Sequence, residues 1–338
     1  MIQLKDRVNV FATIGKLLKE LSEDEIDYIY RRAGGENSWF TEKNVSIALE
    51  GVIRYLDEDK LEAWTNDLPA NPVSPKKVGV VMAGNIPLVG FHDMLAVLIS
   101  GHKLLAKPSS KDAFLIKYVA DLICDIEPWF GEQISFQERL NDAEAMIATG
   151  SDNSSRYFEY YFSKIPHIIR RNRSSVGVLS GKESPGEFKA LGNDVFQYFG
   201  LGCRNVSKLF VPKGYDFGPL LDAWQVFDHV AKHHKYNNNY DYNKSIYLVN
   251  KELHYDSGFA LLRRSEQLVS PISVVYYEEY SHSDEITKNL AGASEKIQCV
   301  VSQNSWVPGS LPFGKAQEPE LWDYADNVNT LVFLQQLN

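Results

Sequence analysis

Between residues 78 and 179 short apolar runs alternate with amphipathic segments, and nothing else in this chain restricts its fold so strongly. Residues 78–82, Val-Gly-Val-Val-Met, read as an apolar strand. An apolar helix follows through Met94, Leu95, Val97, Leu98 and Ile99, and Gly101 closes it as a C-cap. Residues 102–106 read as a second strand, 113–123 as a helix, 134–136 as a brief strand, 143–149 as a helix edge plus strand, and 175–179 as another strand. Strands that alternate with helices need crossover connections, so the sheet is expected to be largely parallel. In such sheets ligands bind at the carboxyl ends of strands. Three of those ends carry small and polar residues: Gly84-Asn85, Lys107 with Ser109 and Ser110, and Thr149-Gly150-Ser151.

The flanking regions differ. Val10, Ile14, Leu17, Leu18 and Leu21 form one apolar stripe, Ser22 and Glu25 make a capping box, and Val45, Leu49, Val52, Ile53 and Leu56 recur at helical spacing. A proline-rich connector, 69–75, separates these helices from the alternating region. After Pro212 a second α/β unit is expected. It has a helix over 220–230, a polar loop or helix end over 232–240, and strands over 245–249, 259–262, 272–276 and 297–301. The apolar piece 330–334 reads as a terminal strand that docks on the domain or on a partner subunit, because an open apolar edge would aggregate. The expected organisation is an N-terminal helical segment, 1–72, a first α/β domain, 73–176, a second, 177–315, and a tail, 316–338.

Composition narrows the function classes. The chain has 338 residues, enough for two domains, and a formal net charge of -9, with no basic block that would suit nucleic acid. Its three cysteines, Cys124, Cys203 and Cys299, are widely spaced, which argues for reducing conditions and against a disulfide framework. The amino terminus lacks the apolar core of a signal peptide, and no run of eighteen apolar residues suggests a membrane span, so a cytoplasmic protein is expected. His233 and His234 have no metal-ligand spacing, so no metal is expected, and no G-x-S-x-G elbow points to a serine hydrolase.

The chemically suggestive stretch is 194–212, DVFQYFGLGCRNVSKLFVP. An amphipathic segment, started by Ser184-Pro185-Gly186-Glu187, delivers the chain to Gly200-Leu201-Gly202-Cys203-Arg204-Asn205, and a strand follows at once. Cys203 is either a small core hydrophobe or a thiol presented between two elements. The glycines, Arg204 and Asn205 favour the second reading, since a core cysteine needs neither such backbone freedom nor such polarity beside it. The strand-end turns also have two readings each. Gly84-Asn85 is a plain turn or frames a ligand. Lys107 is a surface lysine or sets its ammonium, with the neutral hydroxyls of Ser109 and Ser110, against ribose or a 2'-phosphate. Thr149, Gly150 and Ser151 offer backbone N–H groups at a helix start. The three-glycine dinucleotide fingerprint is absent.

Taken together these pieces resemble the aldehyde dehydrogenase superfamily, and more closely its long-chain acyl-CoA reductases, the kind that supply fatty aldehyde in bacterial bioluminescence. FQYFGLGCRNVSKLFVP is similar to the family's catalytic cysteine segment, GHKLLAKPSS to its ribose-binding strand and lysine, IATGSDNSSRYFEYYF to its phosphate-side turn and helix, and SLPFGKAQEPELWDYAD to its proline-phenylalanine-glycine segment. The resemblance spans about 78–334. It implies an α/β, aldehyde-dehydrogenase-like fold, with a Rossmann-like cofactor domain, a catalytic domain and an N-terminal helical segment. It makes Cys203 the nucleophile and gives its backbone N–H and the Asn85 carboxamide to the oxyanion. Lys107, Ser109, Ser110, Thr149, Gly150 and Ser151 become cofactor contacts.

Two departures shape the expected activity. Aldehyde-oxidising members carry a general-base glutamate about thirty residues before the cysteine, whereas 169–176 here is Ile-Arg-Arg-Asn-Arg-Ser-Ser-Val, with no acid. The chain is also markedly shorter than typical members. Without that base, CoA exchange is favoured over hydrolysis of the enzyme thioester. The expected reaction is reduction of a fatty acyl-CoA to the aldehyde, with CoA released and NADPH preferred over NADH, since Ser109 and Ser110 carry no negative charge. Arg170, Arg171 and Arg173 either bind CoA phosphates or pair locally. The alternatives are a CoA-acylating dehydrogenase working in the oxidative direction and a non-catalytic relative serving as a binding subunit. The expected partners are the acyl-CoA itself and a homo-oligomer or a protein that consumes the aldehyde or transfers the acyl group.

Overall fold

The computed structural model describes residues 2–150 and 152–337, which divide into two compact units, 1–172 with 320–338 and 173–319. The first unit opens with α1 (Leu4–Lys19), α2 (Glu23–Glu36), α3 (Glu42–Tyr55) and α4 (Glu58–Thr65). The Ser22 capping box forms as expected: Ser22 Oγ accepts from Glu25 N, and Glu25 accepts from Ser22 N at 2.8 Å. Arg7 is buried on α1. Its guanidinium donates to Ile99 O (2.8 Å), Ile2 O (2.6 Å) and Asn71 Oδ1 (2.9 Å), so every turn of chain it touches is tied to α1.

The alternating region then gives β1 (Lys77–Val81), α5 (Phe91–Ile99), β2 (Lys103–Lys107), α6 (Ala113–Ile126), β3 (Ile134–Phe136), β4 (Ala145–Thr149), α7 (Asp152–Phe162) and β5 (His167–Arg170). The sheet order is β3-β2-β1-β4-β5, and every neighbouring pair is parallel. The chain winds outward from β1 in both directions, so the topological switch point lies between β1 and β4. The turns expected to carry ligand contacts all leave this edge. Arg170, at the end of β5, is buried in an ion pair with Asp93 of α5 and donates to Thr330 Oγ1 at 2.9 Å. Asp93 Oδ1 and Arg170 Nε have no hydrogen-bond partner.

The second unit contains β6 (Ser174–Val178), α8 (Pro185–Phe196), β7 (Val206–Pro212), α9 (Gly218–Trp224), α10 (His234–Val249), β8 (His254–Asp256), β9 (Leu261–Arg264), β10 (Val274–Tyr280), α11 (Ser283–Gly292) and β11 (Ile297–Ser302). Its order is β11-β6-β7-β10-β9-β8, parallel except for the β8–β9 pair. Val176 and Val178 pack with Ile286 of α11 on one face. Gly177 points the other way and lies against Leu191 of α8, so helices cover both faces of this sheet. The chain then returns to the first unit through α12 (Thr330–Gln335). There Leu334 O meets His102 Nε2 at 3.0 Å while His102 Nδ1 accepts from Lys76 N, which fixes the neutral tautomer.

Two expectations are corrected, and of the two readings left open for the arginines local pairing is the one seen. Residues 232–240 were expected as a polar loop or helix end and 245–249 as a strand, but His234–Val249 is one helix, α10, because Tyr236, Tyr240, Asn243 and Tyr247 recur at helical spacing and are the buried face. The polar residues between them are the solvent side. Residues 330–334 form α12 rather than a terminal strand, since Asn329 caps the segment by accepting from Val332 N at 3.0 Å. Arg170 and Arg171 are taken up locally, by Asp93 and Glu159, and Arg173 donates to Ile297 O at 3.2 Å.

Removing one partner of a buried ion pair strands the other charge. Asp93→Ala is therefore expected to lower stability by about 3 kcal/mol, read from the midpoint of urea unfolding. Asp93→Asn, which keeps an acceptor for Arg170, is expected to cost less.

Candidate active site

Cys203 is set by what happens at the end of α8. Ser184 and Glu187 form the expected capping box, and Trp224 Nε1 donates to Phe188 O at 2.9 Å. Phe196, the last residue of α8, packs against Trp224, Phe227 and Phe259. The chain then turns through Tyr198, Phe199 and Gly200, with φ of 53°, 58° and 77°. Left-handed backbone costs a residue with a side chain roughly 1–2 kcal/mol. It is held here by Asn205, which is buried. Its carboxamide nitrogen donates to Asp194 O (3.0 Å), Val195 O (3.3 Å) and Gln197 O (2.8 Å), and its oxygen accepts from Gly202 N (2.8 Å). One side chain thus closes the whole loop on which Cys203 sits, half-buried, just ahead of β7.

Two further segments meet this loop. Asp194 is buried, and its carboxylate accepts from Gly314 N at 2.6 Å and Ala316 N at 2.9 Å, while Arg204 donates to Ala316 O. Burial pushes the Asp194 carboxyl up to about 7, against those two N–H groups. From the other side, the buried Ser175 of β6 donates its hydroxyl to Cys203 O at 3.1 Å. Ser175 Oγ is also 3.0 Å from Cys299 Sγ of β11 and accepts from Cys299 N at 3.2 Å.

The first unit carries the other expected residues along one edge. Asn85 is exposed on the turn after β1. That turn is tied down by Asn37, which donates to Gly84 O (3.3 Å), and by Asp112, which accepts from Leu88 N (2.8 Å). A Cβ on Gly84 would lie 2.6 Å from Ser109, so only glycine lets the β1 and β2 turns touch. Lys107 Nζ donates to Glu138 O at 2.7 Å, Ser109 Oγ accepts from Lys111 N at 3.2 Å, and Ser110 is exposed. Thr149 pairs with Arg170, and Gly150 N donates to Arg170 O at 3.3 Å, so this N–H is engaged with β5. Ser151 lies outside the described residues. The structure therefore gathers Asn85, Lys107, Ser109, Ser110, Thr149 and Gly150 at the switch-point edge of the first sheet, with Cys203 in the second unit.

Ser175, Asp194 and Cys299 were not singled out by sequence. Asp194 and Asn205 stood in the quoted stretch, but only sheet order places Ser175 and Cys299 beside Cys203. Among the described residues no group of three or more His, Cys, Asp or Glu side chains could hold a metal ion, and no helix is long and apolar enough to cross a membrane.

No family model and no curated protein matches this chain. Solved structures do. An aldehyde dehydrogenase from Bacillus cereus in complex with NAD+ is 13% identical, with a TM-score of 0.63 over 88% of this chain and 71% of that one. A mutant of aldehyde dehydrogenase C from Pseudomonas syringae with NAD+ and octanal is 12% identical, with a TM-score of 0.64 over 89% and 72%. An NADP-dependent enzyme from E. coli is 11% identical, with a TM-score of 0.65 over 89% and 73%. The chain has the aldehyde dehydrogenase fold, two α/β units with an N-terminal helical segment.

Asp194→Asn keeps one acceptor but turns a donor toward Gly314 N or Ala316 N. A loss of about 1–3 kcal/mol is expected, checked by denaturant unfolding. Burial also raises the Asp112 carboxyl, up to about 8. Both acids are protonated more readily folded than unfolded, so the stability they contribute is complete below pH 4 or so and is lost as pH rises through about 7 and 8. The melting temperature is expected to fall as pH rises from about 4 to about 8 and to level off above that, and Asp112→Asn to make the fall shallower and end it near pH 7.

Proposed function

We propose that this protein is a nicotinamide-dependent oxidoreductase that reduces a fatty acyl-CoA to the aldehyde through a thioester on Cys203. The observation that carries the reading is the identity of the group beside the cysteine. Ser175, a hydroxyl whose proton is given to Cys203 O, stands in the segment that lacks the base of aldehyde-oxidising relatives. Asp194, the nearby buried acid, has its oxygens occupied by Gly314 and Ala316. Neither is placed to activate water, so a thioester here would persist long enough to exchange with CoA.

The cofactor edge fits a dinucleotide. The β1 and β2 turns meet at Gly84 and Ser109 and end in a lysine and two hydroxyls, and Asp112 close by is buried and raised above the usual carboxylate range, with Glu36 adding to that rise. Lys107, Ser109, Ser110, Thr149, Gly150 and Ser151 are the proposed contacts, and their lack of negative charge suits NADPH better than NADH. When bound, the reduced nicotinamide supplies the hydride that takes the thioester to the aldehyde.

The chain's own groups do the rest. The Cys203 thiolate attacks the acyl carbonyl, and CoA leaves as its thiolate. The Cys203 N–H and the Asn85 carboxamide are the assigned oxyanion donors. Arg204, which holds Ala316 O, and Asn205 hold the nucleophile's loop in position for attack.

The test is absorbance at the nicotinamide band with NADPH or NADH across acyl-CoA lengths. Oxidation that requires acyl-CoA is expected, faster with NADPH. Intact mass after incubation with acyl-CoA alone is expected to show an acyl adduct on the wild type and none on Cys203→Ala; an adduct surviving in that variant refutes the assignment. Asn85→Ala is expected to lower kcat about 10²–10³-fold, with acylation still detectable by mass at long times. Aldehyde oxidation that proceeds with water in place of CoA would overturn the reductive reading.

A further inference from the structure

Cys299 has no part in the acyl chemistry, yet it shares a hydrogen-bonding partner with the nucleophile. The two cysteines are 96 positions apart in sequence and are brought together only by the order β11-β6-β7. Ser175 sits between them. Its hydroxyl donates to Cys203 O, and its oxygen takes both the Cys299 N–H and the Cys299 thiol. That arrangement uses the single Ser175 proton and both lone pairs, and it requires Cys299 to be the S–H donor. Burial holds the Cys299 thiol above its usual range, with Arg204 and the Ser175 hydrogen bond opposing this and Asp194 and the Cys203 sulfur adding to it. A neutral thiol does not compete with Cys203 for a thioester or for peroxide. It is kept in reserve next to a sulfur that does react.

We propose that Cys203 and Cys299 form a reversible redox pair, in which Cys299 captures the sulfenic acid that hydroperoxides produce on Cys203. The Cys203 thiolate attacks the O–O bond of a hydroperoxide, taking one oxygen as Cys203–SOH and releasing hydroxide, or alkoxide from an alkyl hydroperoxide. The Cys299 sulfur then attacks the Cys203 sulfur. The S–O bond breaks, and the Cys299 proton leaves with the oxygen as water. Two electrons pass from the cysteines to the peroxide, and an external dithiol returns them. The loop between 198 and 205 is the part that must shift for the sulfurs to bond. For that its ties to β6 must open: Ser175 Oγ to Cys203 O at 3.1 Å, Ser175 N to Asn205 O at 3.2 Å and Ser174 Oγ to Asn205 O at 3.5 Å.

The pair stands or falls without acyl-CoA, so its failure and the failure of the proposed activity are separable. The full chain is treated with a modest excess of hydrogen peroxide, quenched with iodoacetamide, and digested for peptide mass mapping. The wild type is expected to lose two hydrogens, yield a Cys203–Cys299 linked peptide, and recover both free thiols after dithiothreitol. Cys299→Ser, which keeps a hydrogen-bond donor toward Ser175, is expected instead to carry two or three added oxygens on Cys203 that dithiothreitol does not remove. Circular dichroism and the melting temperature confirm that the variant folds. Sulfinic or sulfonic Cys203 forming at the same rate in both proteins, or a cross-link from Cys203 to Cys124, would overturn the proposal.

Discussion

A single carboxamide, that of Asn205, determines whether Cys203 has a defined position. The loop it closes contains two bulky residues in left-handed backbone, an arrangement that free chain avoids. Three carbonyls at the end of α8 converge on one side-chain nitrogen, and a return bond from Gly202 N fixes the turn just before Cys203. Propensity alone would let this segment continue as helix. Buried hydrogen bonds with no water to replace them outweigh that preference.

The first unit reaches a similar end by different means. Its switch-point edge is defined by topology, since the strands wind outward from β1 on both sides and the order reverses between β1 and β4. The turn carrying Asn85 is then held by close approach and by a buried acid, through Gly84 against Ser109 and Asp112 under Leu88 N. An acid with one unpartnered oxygen in such a place is best kept protonated, and burial does this. The edge therefore presents a lysine and hydroxyls beside a buried acid whose charge is suppressed.

Much of this was legible in the chain itself. The parallel first sheet followed from apolar runs of strand length broken by helical stripes, and the Ser22 and Ser184 caps from their glutamates three residues on. The setting of Cys203 was visible because glycine, arginine and asparagine crowd it. What escaped has physical reasons. The tyrosine stripe of α10 was hidden by the asparagines and charges filling its solvent face, and by the β-branched and aromatic run at its end. The helix α12 is six residues long, too short for periodicity to separate from a strand. Ser175 and Cys299 gain meaning only from neighbours more than twenty residues away in sequence, and a strand's neighbours are not written in its own residues.

The carboxylate of Asp194 reaches across 120 positions to Gly314 and 122 to Ala316. A ribosome releases those amides long after it has released the cysteine. During synthesis the thiol therefore travels on a segment with no downstream anchor, in flexible chain where nothing organises it for attack. Its native setting is a late product of chain completion, and a truncated polypeptide ending before 314 would carry the same sulfur without the framework that holds its loop.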